Sequence, residues 1–346
     1  MRAMGRVEAG LRSLVEGHSL GEDLARECCE EIMRGEVSEA LLGGFLVALR
    51  MKGETPEEIA TFACVMRERA RPLSIRREDL LDTCGTGGDG LGSFNVSTLT
   101  ALVAAGAGAV VAKHGNRAVS GKCGSADLLA RLGVTLDCDE STLARCLAEA
   151  GIGFLYAPAM HPAMRHAASA RQALGVRTIF NLLGPLTHPA RAPYQLMGVF
   201  DRRWVEPLAR ALGVLGTRRA LVVHGLDGMD EITTTAPTAV AELDEGRVRS
   251  YILDAADLGI PRARMEDISG GDAELNAGIA RAILQGEKGP KRSLVVVNAG
   301  AALWAARKAR DFREGMVMAE KSLDSGAASR KLDDLIRLTS PPAAKP

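Results

Sequence analysis

Apolar residues recur with helical spacing from the start of the chain to about Arg71, with polar residues between them. Ser38 and Thr55 each precede acidic residues and an apolar run, which is the order typical of a helix N-terminus, and Pro56 occupies a first-turn position. The pattern therefore predicts a small helical domain at the start of the chain.

The pattern changes after Arg71-Pro72, where short β-like runs begin to alternate with helical segments. Alternation of this kind predicts a mainly parallel α/β sheet. The predicted strands lie at 80–84, 109–112, 153–156 and 220–224, with a hairpin of 233–243 and 247–253 around Glu245-Gly246. The predicted helices lie at 125–132, 141–150, 161–174, 272–284, 294–306 and 314–325, and the composition of 341–346 predicts a disordered tail.

Composition narrows the class of protein. The 346 residues are enough for two domains, and 43 Lys and Arg balance 43 Asp and Glu, so no overall charge attracts nucleic acid or an anionic membrane. Aromatic residues make up 3% of the chain against 38 glycines, so small residues must carry much of the packing. The seven cysteines are odd in number and include no C-x-x-C pair, which indicates a reducing, cytosolic setting.

A glycine-rich loop follows the first predicted strand, with the sequence Asp82-Thr-Cys-Gly85-Thr-Gly87-Gly88-Asp89-Gly90. Such glycines let backbone amides turn toward an anion. A dinucleotide-binding loop is disfavoured because no acid occurs between Asp89 and Asp127, and a Walker loop is excluded because no Gly-Lys-Ser/Thr follows. A tight turn without a ligand remains the alternative.

The acid-free window 90–126 concentrates cationic and hydroxyl side chains in a chain of zero net charge. Because 113–117 follows a predicted strand, these side chains are expected at a strand's carboxyl end, where α/β sheets bind ligands. The glycine-rich loop and the 113–117 loop together indicate a ligand with more than one phosphate. A solvated loop without a ligand is the alternative. The window contains Lys113, His114, Arg117, Lys122, Asn95, Ser97, Thr98, Ser120 and Ser125.

Two further features suggest functional side chains. Asp227, Asp230 and Glu231 follow the predicted strand 220–224, where neighbouring carboxylates can hold a hard cation that also binds phosphate, although an acidic surface turn has the same pattern. Arg171, in the predicted helix 161–174, can form a fork to a substrate carboxylate, although a solvent-facing helix charge fits equally.

Six motifs together closely resemble the anthranilate phosphoribosyltransferase family, in order from about residue 10 to 335. They are Gly85-Thr-Gly-Gly-Asp-Gly, Asn95-Val-Ser-Thr, Lys113-His-Gly-Asn-Arg, Gly124-Ser-Ala-Asp, Gly175-Val-Arg-Thr-Ile-Phe-Asn-Leu-Leu-Gly-Pro and Gly228-Met-Asp-Glu-Ile. The glycine loop also occurs in pyrimidine nucleoside phosphorylases. The Lys-His-Gly-Asn-Arg motif distinguishes the anthranilate phosphoribosyltransferase family from them. A nucleoside phosphorylase, a transferase for another aromatic acceptor and a non-catalytic nucleic-acid-binding relative remain the alternatives.

The resemblance implies a fold of the nucleoside phosphorylase/phosphoribosyltransferase type, with a small all-helical domain and a larger α/β domain with a mainly parallel sheet. We expect 1–73 and 160–186 in the helical domain and 74–159 and 187–340 in the α/β domain. It also implies a cytoplasmic homodimer in which two Mg²⁺ per subunit assist transfer of phosphoribose from phosphoribosyl pyrophosphate to anthranilate, the second step from chorismate to tryptophan. No residue is expected to act as a nucleophile, and neither nucleic acid nor a membrane is expected as a partner.

The resemblance also implies the residues of the site. For phosphoribosyl pyrophosphate they are Gly85, Gly88, Asp89, Ser93, Asn95, Val96, Ser97, Thr98, Lys113, His114, Gly115, Asn116, Arg117, Ala118, Val119, Ser120, Gly121 and Ser125. For anthranilate they are Gly85, Asn116 and Arg171, and for the metal Ser97, Asp230 and Glu231. Three positions depart from the family's usual residues: Gly121 replaces Ser, Ser93 replaces Thr and His188 replaces Asn.

Overall fold

The computed structural model describes residues 5–75, 77–118 and 121–340. The described residues begin with four helices: α1 (Arg6–Val15), α2 (Glu22–Arg34), α3 (Glu39–Lys52) and α4 (Pro56–Glu68). The predicted caps are confirmed, because the Ser38 side chain accepts from the Leu41 amide and Thr55 and Glu58 form a capping box. The four helices bury a common apolar core around Phe45 and Phe62.

Within the described ranges, seven strands form one sheet in the order β3-β2-β1-β4-β5-β6-β7. Neighbouring strands from β3 to β5 pair in parallel and the last two pairings are antiparallel, so the predicted mainly parallel sheet is confirmed. The strands are β1 (Leu80–Gly85), β2 (Val110–Gly115), β3 (Ile152–Tyr156), β4 (Tyr194–Gly198), β5 (Arg219–Gly225), β6 (Thr238–Asp244) and β7 (Arg247–Leu253). β4 was not predicted from the sequence, and the predicted end of β2, at residue 112, was too early.

Helices cover the sheet. They are α5 (Val96–Gly106), α6 (Ser125–Leu132), α7 (Glu140–Arg145), α8 (Ala157–Met160), α9 (Arg165–Leu174), α10 (Phe180–Leu183), α11 (Val205–Val214), α12 (Ala273–Leu284), α13 (Pro290–Ala305), α14 (Phe312–Asp324) and α15 (Ala327–Thr339). α5 packs against α13, α14 and α15. A Cβ on Gly106 would lie 2.2 Å from Ser322 Oγ, so the helices approach more closely than a larger residue allows. No helix in the described ranges has both the length and the apolar character needed to cross a membrane.

Two predicted helices are interrupted. The segment 161–174 begins with a 3₁₀ turn, Pro162–Met164, and becomes α-helical only at Arg165. His161 lies outside the helix, as expected for a residue that precedes a proline. The segment 141–150 ends as a π-helix, Cys146–Ala150.

Two segments connect the N-terminal helices to the sheet, and they meet where the Arg71 amide donates to Met160 O over 2.8 Å. Beyond this point α9 packs against α2 and α3, and α10 packs against α4, so the middle of the chain returns to the N-terminal helices.

The strand order changes direction at β1, which has β2 on one side and β4 on the other. Loops after neighbouring parallel strands on opposite sides of such a point leave a crevice at the carboxyl edge, where α/β proteins bind ligands. The glycine loop follows β1, Val199 and Phe200 follow β4, and the Asp227–Glu231 region follows β5. The fold therefore brings the predicted motifs to one edge.

Candidate active site

The glycine loop at the end of β1 depends on backbone conformations that favour glycine. Gly87, Gly88 and Gly90 have φ of 66°, 80° and 77°. The Gly87 amide donates to Asp230 Oδ2 over 2.9 Å, so the loop after β1 is joined to the acidic loop after β5. A Cβ on Gly198 of β4 would lie 1.5 Å from Asp230 O, so only glycine permits this approach.

The acidic side chains at this edge repel one another. Burial, and then the neighbouring Asp89 carboxylate, raise the pKa of Asp230 to about 7. Glu231 is 8% exposed, and burial followed by repulsion from Asp230 raises its pKa, while Lys113 and the Ser97 backbone oppose that shift. Asp89 Oδ2 is buried with no hydrogen-bond partner in the part of the chain that the structure describes. A cation bound there would therefore stabilise the ionised carboxylates, which burial and mutual repulsion disfavour.

Asn298, which was not predicted from the sequence, holds the backbone directly after the two carboxylates. Its Oδ1 accepts from the Ile232 amide over 3.0 Å and its Nδ2 donates to Ile232 O over 2.8 Å. The side chain is fully buried in α13. The sequence did contain a signal for this role, since Asn298 is a lone polar residue in the apolar run of a predicted helix.

Lys113 and Ser97 meet at the start of α5. Lys113 is 3% exposed, and its Nζ donates to Thr83 O and, over 3.3 Å, to Ser97 Oγ. Burial lowers the pKa of Lys113. Ser97 and Thr98 lie in the first turn of α5, where backbone amides have no intrahelical acceptor, and the buried Thr98 hydroxyl has no partner within the described ranges. The arrangement suits an anion.

Asn95, predicted to bind the phosphoribosyl ligand, uses its side chain within the protein. Its Nδ2 donates to Cys123 O over 3.0 Å, and its Oδ1 accepts from Asn276 Nδ2 over 2.9 Å. Asn276 is buried in α12 and also accepts from the Gly271 amide, and the sequence pattern did not single it out. A ligand contact of Asn95 would therefore involve its backbone.

The basic loop after β2 carries less free charge than its sequence indicates. Arg117 forms an ion pair with Asp127 over 2.8 Å, and the Asp127 carboxylate also accepts from the amides of Ala118 and Gly124. This pairing was not predicted because Asp127 lies one residue beyond the acid-free window and returns through a turn. Ser125 Oγ donates to Asn116 O over 3.3 Å. Gly121 and Lys122 are exposed, and Val119 and Ser120 lie outside the described residues.

Lys113 and His114 were both predicted to lie in a loop, but both belong to β2. Successive residues of a strand point to opposite faces. The His114 ring accordingly packs away from the Lys113 side, at centroid distances of 5.2 Å from His161 and 5.9 Å from His188. A ligand contact of His114 would have to come from its backbone, whose amide already donates to Asp82 Oδ1.

The three histidines form a buried cluster near the two connecting segments. Burial lowers the pKa of His114 and His188, and lowers that of His161 to about 4. His188 Nδ1 accepts from the Ala192 amide over 3.3 Å, and Nε2 lies 2.7 Å from Ala112 O, so the ring is neutral with its proton on Nε2. Asp82 favours the charged form of His188 and Arg67 disfavours it.

This cluster predicts loss of stability in mild acid. The unfolded pKa of histidine is about 6.5, and below that pH the unfolded state binds more protons than a folded state whose histidine pKa is lower. Stability is therefore full above about pH 6.5 and falls as the pH drops toward the folded pKa. For His161, whose folded pKa is about 4, this protonation should cost about 2 kcal/mol of stability at pH 5 relative to pH 7. Urea unfolding at both pH values measures this difference in unfolding free energy. His188→Asn should reduce the pH-dependent difference in unfolding free energy, because burial lowers the pKa of His188 in the folded state; an unreduced difference would contradict this assignment.

The remaining predicted residues occupy different surroundings. Arg171 is half-buried in α9, 5.6 Å from the centroid of the Phe180 ring, and forms no ion pair with the described residues. Burial lowers its pKa. Asn116 is exposed, and its Oδ1 accepts from the Arg117 amide over 2.7 Å. Ser93 forms an isolated antiparallel bridge with Ser269. Within the described residues, no side-chain hydrogen bond or ion pair joins Arg171 to Asn116 or Gly85, so a ligand would have to connect them.

The chain is similar to known proteins over most of its length. Residues 10–70 match the helical bundle domain of a glycosyl transferase family, and residues 77–329 match its a/b domain. The anthranilate phosphoribosyltransferase of Moorella thermoacetica is 50% identical over 330 residues, which cover 95% of this chain and 97% of that protein. The chain belongs to the anthranilate phosphoribosyltransferase family.

Solved structures of the anthranilate phosphoribosyltransferase family agree with this fold. The enzyme of Thermus thermophilus superposes with a TM-score of 0.90 at 47% identity and covers 95% of this chain and 99% of its own. The enzyme of Saccharomyces cerevisiae in complex with PRPP and Mg superposes at 0.88 and 25% identity, covering 96% and 97%. The expected fold class and the resemblance are confirmed, and the chain is an enzyme of the transferase class.

Proposed function

We propose that the chain transfers the phosphoribosyl group of phosphoribosyl pyrophosphate to the amine of anthranilate, giving N-(5-phosphoribosyl)anthranilate and pyrophosphate. One observation carries the proposal: the glycine loop, the start of α5 and the Asp230-Glu231 pair meet at the carboxyl edge of β1 and β5. Relatives about half identical to the chain bear the name of this activity. The reaction would be the second step of tryptophan biosynthesis from chorismate.

The phosphoribosyl ligand would lie against the 85–98 and 113–121 segments. Amides of the glycine loop and of the first turn of α5 would donate to phosphate oxygens, with Ser97, Thr98 and Ser125 adding hydroxyls. Lys113 is already held against Ser97 and would supply positive charge at the same point. Gly121 lacks the hydroxyl of the family's usual Ser but retains its backbone donor. Ser93 keeps a hydroxyl where Thr is usual.

The residues present fit magnesium. Among the described residues, no three His, Cys, Asp or Glu side chains lie close enough to hold a metal without further ligands. Magnesium usually takes one or two carboxylates and completes its shell with water and substrate phosphates. Asp230 and Glu231, with raised pKa values, and the Ser97 hydroxyl would hold up to two ions. Bound magnesium would neutralise the charge that develops on departing pyrophosphate.

An arginine guanidinium would orient anthranilate, and no general base would be needed to activate its amine. Arg171 would pair with its carboxylate, with Asn116 and the Gly85 backbone alongside. The amine lone pair would form the bond to C1 as the bond to pyrophosphate breaks, and the nitrogen would then lose one proton to the departing pyrophosphate or to water. No covalent enzyme intermediate is required. The chain would act by holding both substrates in line and by stabilising the departing anion.

A fluorescence assay tests the function directly. The purified chain, supplied with magnesium, phosphoribosyl pyrophosphate and anthranilate, should deplete anthranilate fluorescence, and omission of either magnesium or the phosphoribosyl donor should abolish the loss. Replacement of the donor by ribose 1-phosphate with a pyrimidine base is the control for the phosphorylase alternative. Turnover of that pair without turnover of anthranilate would refute the proposal.

We further propose that the chain is a cytoplasmic homodimer joined through its helical part. α3 and α9 border an open groove of about 430 Å³, lined mainly by small and apolar residues. Met51, at the end of α3, is 82% exposed. A second copy covering this face would bury that surface. Sedimentation equilibrium should give twice the mass of one chain.

A further inference from the structure

Arg177 connects the helical part of the chain to the glycine loop. It lies between α9 and α10, which pack against α2, α3 and α4. Its carbonyl accepts from the Arg50 guanidinium of α3, and its own guanidinium donates to the carbonyl of Gly88. A single residue therefore spans the two parts of the molecule at the proposed phosphate site.

The Arg177 guanidinium is held by an aromatic ring. Its Cζ lies 4.0 Å from the centroid of the Phe200 ring, within the range of a cation–π contact. Phe200 follows β4, and its amide donates to Thr86 Oγ1 over 3.0 Å, while the Thr86 amide donates to Gly198 O over 2.9 Å. The ring under Arg177 is thus itself fixed to the start of the glycine loop.

Loss of this contact would free the loop. Gly87, Gly88 and Gly90 have positive φ and little intrinsic conformational restraint. In a trans peptide the C=O and the following N–H point in opposite directions. Because Arg177 holds the Gly88 carbonyl, it also fixes the direction of the Asp89 amide, one of the donors that the loop offers to an anion.

We propose that Arg177 is a positioning residue that holds the Gly88–Asp89 peptide in its anion-binding orientation and couples the loop to the helical part of the chain. The inference rests on the proposed function, because it assigns the loop to the diphosphate. Arg177 acts through the loop backbone and through Phe200. Its contribution should therefore appear in affinity for phosphoribosyl pyrophosphate and not in affinity for anthranilate.

Arg177→Ala, Arg177→Lys and Phe200→Leu test the inference, with Arg281→Ala as the matched control for loss of one exposed positive charge. By calorimetry with phosphoribosyl pyrophosphate and magnesium, Arg177→Ala should bind about tenfold to a hundredfold more weakly than Arg281→Ala, from loss of a charge-assisted hydrogen bond. Arg177→Lys should recover less than half of the loss on a logarithmic scale. The KM for anthranilate should change less than about twofold in every variant.

Two further results distinguish positioning from a direct contact with the ligand. Amide hydrogen exchange of residues 86–91 without ligand should be faster in Arg177→Ala and Phe200→Leu than in Arg281→Ala. The double variant of Arg177 and Phe200 should bind no more weakly than Arg177→Ala, because both changes disrupt one contact. Unchanged exchange, additive losses or full recovery by Lys would overturn the inference. Absence of binding by the unsubstituted chain would instead overturn the proposed function.

Discussion

Asp230→Asn combined with Glu231→Gln should lower the magnesium-dependent rate by about two to three decades, since a catalytic metal supplies several kcal/mol of charge stabilisation. The expected change in stability has the opposite sign. A carboxyl whose folded pKa exceeds its unfolded value destabilises the fold as pH rises through the folded pKa, which is about 7 for Asp230. The neutral amides should therefore raise the unfolding free energy at pH 8 by at least about 1 kcal/mol.

The measurements are the rate as a function of magnesium concentration and urea unfolding at pH 8. Asp333→Asn with Asp334→Asn is a matched control, because it removes two adjacent carboxylates on α15. That control should leave the metal dependence unaltered. If the Asp230 and Glu231 double variant kept the magnesium dependence of the unsubstituted chain, these residues would not belong to the metal site.

Arg171→Ala should reduce kcat/KM for anthranilate by roughly one to two decades, because a charge-assisted pair contributes about 1.5–3 kcal/mol. Arg171 is half-buried and has no ion-pair partner in the described part of the chain, so its charge is available to a substrate carboxylate. Affinity for phosphoribosyl pyrophosphate should stay the same, since the proposed function assigns Arg171 to the acceptor alone.

Steady-state kinetics with each substrate varied in turn measures this effect. Arg165→Ala provides the control, because Arg165 is exposed at the start of the same helix. Arg171→Lys should recover part of the loss through its charge but lack the two-pronged geometry. A wild-type anthranilate KM and turnover in Arg171→Ala would remove Arg171 from the acceptor site.

Local chemistry made much of the fold predictable. The Thr55-Pro56-Glu-Glu58 capping box and the positive-φ glycines of the 85–90 loop depend on neighbouring residues, and the sequence displays those neighbours directly. The parallel pairing of β1 with β2 and of β2 with β3 could be predicted because strands alternate with helices in this part of the sequence. These features required no knowledge of distant contacts.

Features that depend on distant contacts were missed. β2 continues through Lys113 and His114 because tertiary burial accommodates two residues whose polarity suggests a loop. β4 carries the polar Gln195, whose Nε2 donates to Pro185 O over 2.8 Å in the core. Such contacts join residues far apart in the sequence, and local pattern does not specify them.

Diffraction from crystals grown with phosphoribosyl pyrophosphate and magnesium would locate both ligands in the molecule. We expect the diphosphate to lie against the glycine loop and the first turn of α5, with magnesium between it and Asp230 or Glu231. Density for the ligand elsewhere on the molecule, away from the 85–98 and 113–121 segments, would refute the proposed site.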